Sequence, residues 1–215
     1  MVRNAVRRTW KSEAAQNGLA VIFVLAISSN TSKTAVRQRL FDEQTINGDL
    51  LLLNVEEAYE NLPCKVAATV LWASTYCANI ALLMKGDDNS IVRAKLLKVA
   101  LSAHNYTEEL AIYGHTHERV TIRRHGKWGV SRAVLPMVHF PTYCSGVGYL
   151  FNHRTINRLK SALTNVPLIT IEDAWLTGLV AENASVPRYS IDPNALMSDF
   201  VDGCTVRRKF LYQSD

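Results

Sequence analysis

The sequence predicts an α/β fold: a Rossmann-like, mostly parallel sheet with helices on both faces. Three observations lead there. Apolar runs at residues 19–27, 49–55 and 80–84 are short and continuous, as strands buried on both faces must be. The segments between them carry apolar residues at helical spacing, so strands and helices alternate. The third run stops at Lys85-Gly86-Asp87-Asp88-Asn89, and in open α/β sheets ligands collect outside the carboxyl ends of the strands.

Residues 3–10 place three arginines around Val6 and end in Thr9-Trp10, a basic turn leading into a short helix at 11–16. The run 19–27 is the first strand, expected to be central and covered on both faces. A polar loop (28–33) precedes an amphipathic helix at 34–45, with Val36, Leu40 and Phe41 as its inner stripe. Asn47-Gly48 ends it, and 49–55 is the second strand. Residues 56–65 are a polar entry to a helix reaching about Tyr76, with Pro63 in its first turn, where a missing N–H does no harm. The strand 80–84 follows. Ser90 can cap a helix at 91–103.

The second half is less regular. Residues 111–117 read as an edge strand, 119–130 as a basic segment, and 139–143 as a Pro-bearing loop. Strands are expected at 147–152 and 168–171, with helices at 153–163 and 174–182. From Pro187 onward no periodicity is visible, and the tail 187–215 is expected to be irregular. No repeat or linker divides the chain. One domain of 215 residues is therefore expected, enough to bury roughly 70% of the surface its unfolded chain exposes.

Composition narrows the function classes. No apolar run approaches the ~20 residues of a membrane helix, and the opening residues hold no secretory signal. The net charge of +5 is scattered and lacks the aromatic interleaving of single-strand binders, so a nucleic-acid partner is not expected. The four cysteines (Cys64, Cys77, Cys144, Cys204) have no zinc spacing. Sequons at Asn30, Asn105 and Asn183 permit glycosylation in a secretory setting.

Two predicted strands end in acid pairs, Asp87/Asp88 and Glu172/Asp173. Carboxylates there can hold a divalent metal and its diphosphate, or take a proton. The first pair is equally good turn chemistry, and acids in a helix's first turn also complement its dipole. His115-x-His117 has ligand spacing on a strand face, but a surface pair needs no further reason. Trp10, Trp72, Trp128 and Trp175 read as core, with Trp128 or Trp175 also able to stack on a sugar.

Several stretches, taken in order, resemble one family. They are Arg3-x-x-Val6-Arg7-x-Thr9-Trp10; Glu43 with Gly48-Asp49-Leu50-Leu51; Tyr59-x-Asn61-Leu62-x-x-Lys65; Trp72 and Cys77; and Lys85-x-Asp87-Asp88-Asn89. Lys127-Trp128-x-Val130-Ser131, Pro141-x-Tyr143-Cys144-Ser145-Gly146-x-Gly148-Tyr149 and Glu172-Asp173-Ala174 follow. Over about residues 3–182 they match the β-1,3-galactosyltransferase family of inverting hexosyltransferases in order and spacing, and the chain is identified as a divergent member.

The resemblance implies an A-type nucleotide-sugar glycosyltransferase fold, with a nucleotide half at about 1–105 and an acceptor half at about 106–186. It implies transfer of a hexose from a UDP-sugar to the 3-hydroxyl of an acceptor glycan, on a glycoprotein or glycolipid, with inversion. Asp173 falls on the expected general base. Asp87, Asp88 and Asn89 fall on the UDP and Mn2+ triplet, with Asp88 and Asn89 as metal ligands. Arg3, Arg7, Asp49 and Lys65 fall on the nucleotide-facing side, and Glu172, Trp128 and Gly146 on the acceptor side. A Cys77–Cys144 disulfide, and a Golgi-lumenal location through an N-terminal anchor outside this sequence, are also implied. Two departures bear on the metal. Asn89 replaces the family's third acid, and its amide oxygen brings no charge; the His expected after the Glu-Asp pair has no counterpart in 174–215. The alternative expectation is therefore a member that binds nucleotide sugar or glycan without transferring it.

Overall fold

The computed structural model describes residues 2–27, 34–87, 91–103, 106–191 and 196–197. The helices are α1 (Val2–Arg8), α2 (Trp10–Gln16), α3 (Thr34–Asn47), α4 (Leu62–Tyr76), α5 (Ala94–Ala103), α6 (His153–Lys160) and α7 (Ala181–Asn183). The strands are β1 (Phe23–Ala26), β2 (Leu50–Leu53), β3 (Leu83–Gly86), β4 (Ile91–Val92), β5 (Ile112–His117), β6 (Tyr143–Phe151), β7 (Arg188–Ser190) and β8 (Leu196–Met197). A π-helical segment, Ala174–Val180, runs directly into α7.

Alternation of helix and strand holds, but the mostly parallel sheet does not. The main sheet has the order β3-β6-β5-β7; β6 is antiparallel to both neighbours, and only β5 and β7 run together. β1 and β2 form a separate parallel pair joined through α3, and β4 pairs antiparallel with β8. An apolar run reports that both faces of a strand are covered. It does not report the direction of the strand's neighbours.

The main sheet is covered on both faces, as expected, and side-chain alternation shows how. Ile112, Tyr149 and Phe151 enter a core with α4, α6 and the π-helical segment. Tyr113 and Leu150, one residue out of phase, enter a second core with Leu97 of α5, Tyr106 and Trp10. Trp175 is fully buried in the first core, which rules out the sugar-stacking role. Burying a side chain that large contributes about 3 kcal/mol.

Several element expectations need correction. β5 lies inside the sheet because β7, in the supposedly irregular tail, pairs with it at Ile112↔Arg188. Residues 168–171 are an irregular approach to the π-helical segment rather than a strand. The predicted strand at 80–84 starts later, at Leu83, and that at 147–152 starts earlier, at Tyr143. The predicted helix at 91–103 begins with β4. β1 is only partly buried, and Val36 and Phe41 of α3 are exposed. Among the described residues, none from β1, β2 or α3 belongs to either of the two cores. Loop 28–33, the capping Ser90, Asn30, Asn105 and Cys204 lie outside the described residues. Cys77 and Cys144 are free thiols, so the implied disulfide is absent.

Candidate active site

The floor of the site is set by the register of β3 against β6. Lys85 lies opposite Tyr149 and Gly86 opposite Gly148, which puts the Lys85 ammonium 5.6 Å from the Tyr149 ring centroid. On its other side β6 breaks register with β5: Gly114 pairs with Tyr149, but Thr116 already pairs with Cys144. The irregularity re-aims residues 145–148. Gly146 ends among three carboxylates. A Cβ built there would lie 3.4 Å from Asp87 Oδ2, 3.4 Å from Glu172 Oε1 and 3.5 Å from Asp173 Oδ2.

One cation binds this acid cluster together. Lys85 Nζ donates to Asp87 Oδ1 (2.7 Å), to the Gly146 carbonyl (3.2 Å) and to Glu172 Oε1. Burial pulls the Lys85 pKa down, but the charges of Glu172 and Asp87 outweigh it, and the group ends above its ordinary value as an ammonium. Glu172 is buried and also accepts from the Tyr149 hydroxyl at 3.3 Å. Burial raises its pKa, and Lys85 opposes that rise. Burial, followed by the negative charge of Glu172, holds Tyr149 far above its usual range, so it remains a neutral donor.

Asp173 is fixed by the backbone. Its Oδ2 accepts the Gly146 N–H at 2.9 Å, and its Oδ1 accepts the Ala174 N–H at 2.8 Å at the entrance to the π-helical segment. Thr177 Oγ1 braces the same turn: it lies 2.6 Å from the Asp173 carbonyl and accepts the Cys144 N–H at 2.8 Å. A carboxylate with one such contact per oxygen keeps lone pairs free for a substrate hydroxyl. Its charge reaches Tyr143 and His117: burial mainly raises the Tyr143 pKa and lowers that of His117, and Asp173 pushes both upward.

These carboxylates line a cleft of about 410 Å³. An aromatic and basic part of its wall is formed by Tyr59, Arg123, Trp128, Phe140 and Tyr143. The Trp128 indole N–H donates to the Tyr59 hydroxyl at 3.1 Å. Trp128 is half-exposed on this wall.

The structure thus brings Asp87, Gly146, Glu172, Asp173 and Trp128 around one cleft. Arg3, Arg7 and Asp49 lie elsewhere. Arg7 spans Asp49 (2.8 and 2.7 Å) and Glu43 (2.7 Å), Arg3 pairs with Glu43 (2.8 and 2.5 Å), and Lys11 pairs with Asp49. Asp49 precedes β2, and its carbonyl accepts the Phe23 N–H. The network therefore sits at the amino end of the β1–β2 pair. Lys65 is at the opposite, carboxyl end, paired with Glu57 (2.8 and 3.0 Å), whose carboxylate also accepts the Ala26 N–H at 3.1 Å.

Asp88 and Asn89, the implied metal ligands, lie outside the described residues. Among those described, no group of three or more His, Cys, Asp or Glu side chains is arranged to hold a metal, the His115/His117 pair included. Asp87 and Glu172 already share the Lys85 ammonium. No chemical step is derived through Mn2+. Sequence reasoning gave no role to Lys85 or Thr177, and read Arg123 only as one of a basic run, mostly solvated surface, a few of whose members could serve a diphosphate. Lys85 heads the acid cluster and was open to notice; Arg123 and Thr177 carry no local signal.

A family model described as Galactosyltransferase matches residues 1–192. The chain is 28% identical over 195 residues to a mouse acetylgalactosaminyl-O-glycosyl-glycoprotein beta-1,3-N-acetylglucosaminyltransferase, covering 86% of this chain and 48% of the relative. It is 27% identical over 187 residues to beta-1,3-galactosyltransferase 5 of Pan troglodytes (86% and 62%) and 26% identical over 207 residues to human beta-1,3-galactosyltransferase 2 (93% and 47%). The chain spans about half to three-fifths of the length of these relatives.

Proposed function

This chain belongs to the galactosyltransferase family, and from that membership we propose that it transfers a hexose from a UDP-sugar to the 3-hydroxyl of an acceptor glycan with inversion. The observation that carries the proposal is the Asp173 carboxylate, anchored by the Gly146 and Ala174 N–H groups on the wall of a cleft wide enough for a sugar.

In the proposed step the acceptor hydroxyl oxygen attacks the anomeric carbon from the face opposite the nucleotide. Its proton passes to Asp173 as the new C–O bond forms, and the bond to UDP breaks with its electron pair leaving on the diphosphate. A base fixed in advance spends no reorganisation at the moment of transfer. Glu172 is committed to Lys85 and Tyr149, so it supports the floor and leaves the proton to its neighbour. Asp87 faces the donor. Lys65 is the cation assigned to the diphosphate, since ligands gather at the carboxyl ends of parallel strands. Arg3, Arg7 and Asp49, joined in the network at the amino end of the β1–β2 pair, brace it from the side away from the diphosphate, and Trp128 stands on the acceptor side.

The donor sugar, acceptor and β-1,3 linkage belong to this proposal, as do the two halves of one catalytic domain. So does a Golgi-lumenal site of action; no described helix is long and apolar enough to cross a membrane. The non-transferring alternative draws no support from the relatives, each of which is named for a transfer. The test is incubation with a panel of UDP-hexoses and terminal galactose or N-acetylhexosamine acceptors, with product linkage read by NMR. A β-1,3-linked product is expected. A product of another linkage, or UDP binding with no product from any pair, would overturn the proposal.

A further inference from the structure

The cleft lining carries both signs of charge: the carboxylates of Asp87, Glu172 and Asp173, and the guanidinium of Arg123. The Arg123 guanidinium carbon stands 5.6 Å from the Trp128 ring centroid. Lys127 Nζ stands 4.5 Å from the Tyr59 ring centroid and 5.5 Å from that of Trp128. Two cations are thus stacked on an aromatic pair that is itself joined by a hydrogen bond. Neither forms an ion pair with any described residue, whereas Lys85 is committed to Asp87 and Glu172.

The turn that presents them is stiff. Neighbouring Arg124 donates to the Val130, Leu135 and Met137 carbonyls. Gly126 has φ 82°, a left-handed conformation that favours glycine. At Gly129 a Cβ would meet the His125 backbone at 2.9 Å. Arg123 is therefore presented on the cleft lining, with the exposed Lys127 beside it on the same aromatic pair.

We propose that this aromatic–cationic wall selects an acceptor glycan bearing an anionic substituent, a carboxylate or a sulfate. The inference rests on the glycosyl-transfer reading and names its acceptor class. The three carboxylates repel such a substituent and the two cations attract it, which leaves the neutral 3-hydroxyl to face Asp173. Arg123 and Lys127, held against Trp128, take the anion through charge-assisted hydrogen bonds, and the sugar packs beside that wall. The donor's diphosphate is a second source of negative charge, and the test separates the two.

The measurement is ligand-observed NMR titration of the full chain with a uronic-acid disaccharide, with its carboxyl-reduced neutral counterpart, and with UDP. The same titrations are repeated on an Arg123→Gln/Lys127→Gln variant whose folding is checked by its melting curve. The acidic disaccharide is expected to bind about tenfold more tightly than the reduced one, and the double variant to abolish that preference while leaving UDP affinity unchanged. Equal binding of the two disaccharides by the unmodified protein overturns the inference. So does a double variant that loses UDP affinity and keeps the disaccharide preference, which would assign the cations to the diphosphate. Because the readout is binding, the charge preference is decided even where no product forms; failed transfer with an intact preference would count against the transferase reading alone.

Discussion

The Gly146 N–H and the Asp173 Oδ2 meet at 2.9 Å across 27 residues of sequence, and this bond ties the irregular stretch of β6 to the start of the π-helical segment. It fixes the carboxylate assigned to the proton, and it requires a residue at 146 that leaves room beside three acids.

Gly146→Ala tests that room. The added methyl meets carboxylate oxygens at 3.4–3.5 Å, ordinary contact, so the protein should fold with a melting temperature within a few degrees of the original. The methyl occupies the space between Asp87, Glu172 and Asp173. Transfer is expected to fall by about tenfold or more. Unchanged turnover would mean that this space is not used.

Lys85→Met tests the floor. It leaves buried Glu172 facing Asp87 and Asp173 without a counter-charge, at a cost of about 3 kcal/mol and roughly 6–12 °C in melting temperature. Adding Glu172→Gln removes the stranded charge and should restore much of the loss. Thermal unfolding of both variants checks this; a double variant no more stable than the single one would contradict it.

The Arg3–Arg7–Lys11 network predicts acid sensitivity. Hydrogen bonds from Arg3 hold the Glu43 carboxyl at about 2, and those from Arg7 hold Asp49 at about 2, both below their ordinary values. Groups depressed in the folded state add stability that is complete above the unfolded pKa near 4 and is lost as pH falls from about 4 to 2. Discounted for solvent screening, the two together contribute about 2–4 kcal/mol. Urea unfolding between pH 6 and 2 should show a steeper loss for the unmodified chain than for Glu43→Gln/Asp49→Asn, which starts lower and changes less.

The alternation of helices and strands, the paired acids and the Trp128 motif were legible because each is local: a period, a capping position, a run of neighbours. The direction of the strands was not. β6 and β5 pair antiparallel across residues 112–151, and nothing in either apolar run encodes that. The tail was misjudged for a related reason, since β7 is three residues long and, among the described strands, pairs with β5. Arg3, Arg7, Asp49 and Lys65 looked alike as charged motif positions. The structure separates them, with the first three at the amino end of β1–β2 and Lys65 at its carboxyl end. Arg123 gained meaning only when the fold set it over Trp128.

Trp128→Ala tests the aromatic wall. The indole is 45% exposed, so its removal should cost little stability. Loss of this part of the wall is expected to raise the acceptor KM about tenfold with a smaller effect on kcat. Steady-state kinetics at saturating donor would read this, and an unchanged KM would place the acceptor elsewhere.

The central claim is that Asp173 takes the acceptor's proton. The most direct measurement is single-turnover transfer by Asp173→Asn, with UDP affinity determined by calorimetry on the same preparation. The asparagine oxygen can still accept the Gly146 or Ala174 N–H, so the fold and UDP binding should persist while transfer falls by about a thousandfold. Transfer at the original rate by a variant that binds UDP normally would contradict the account.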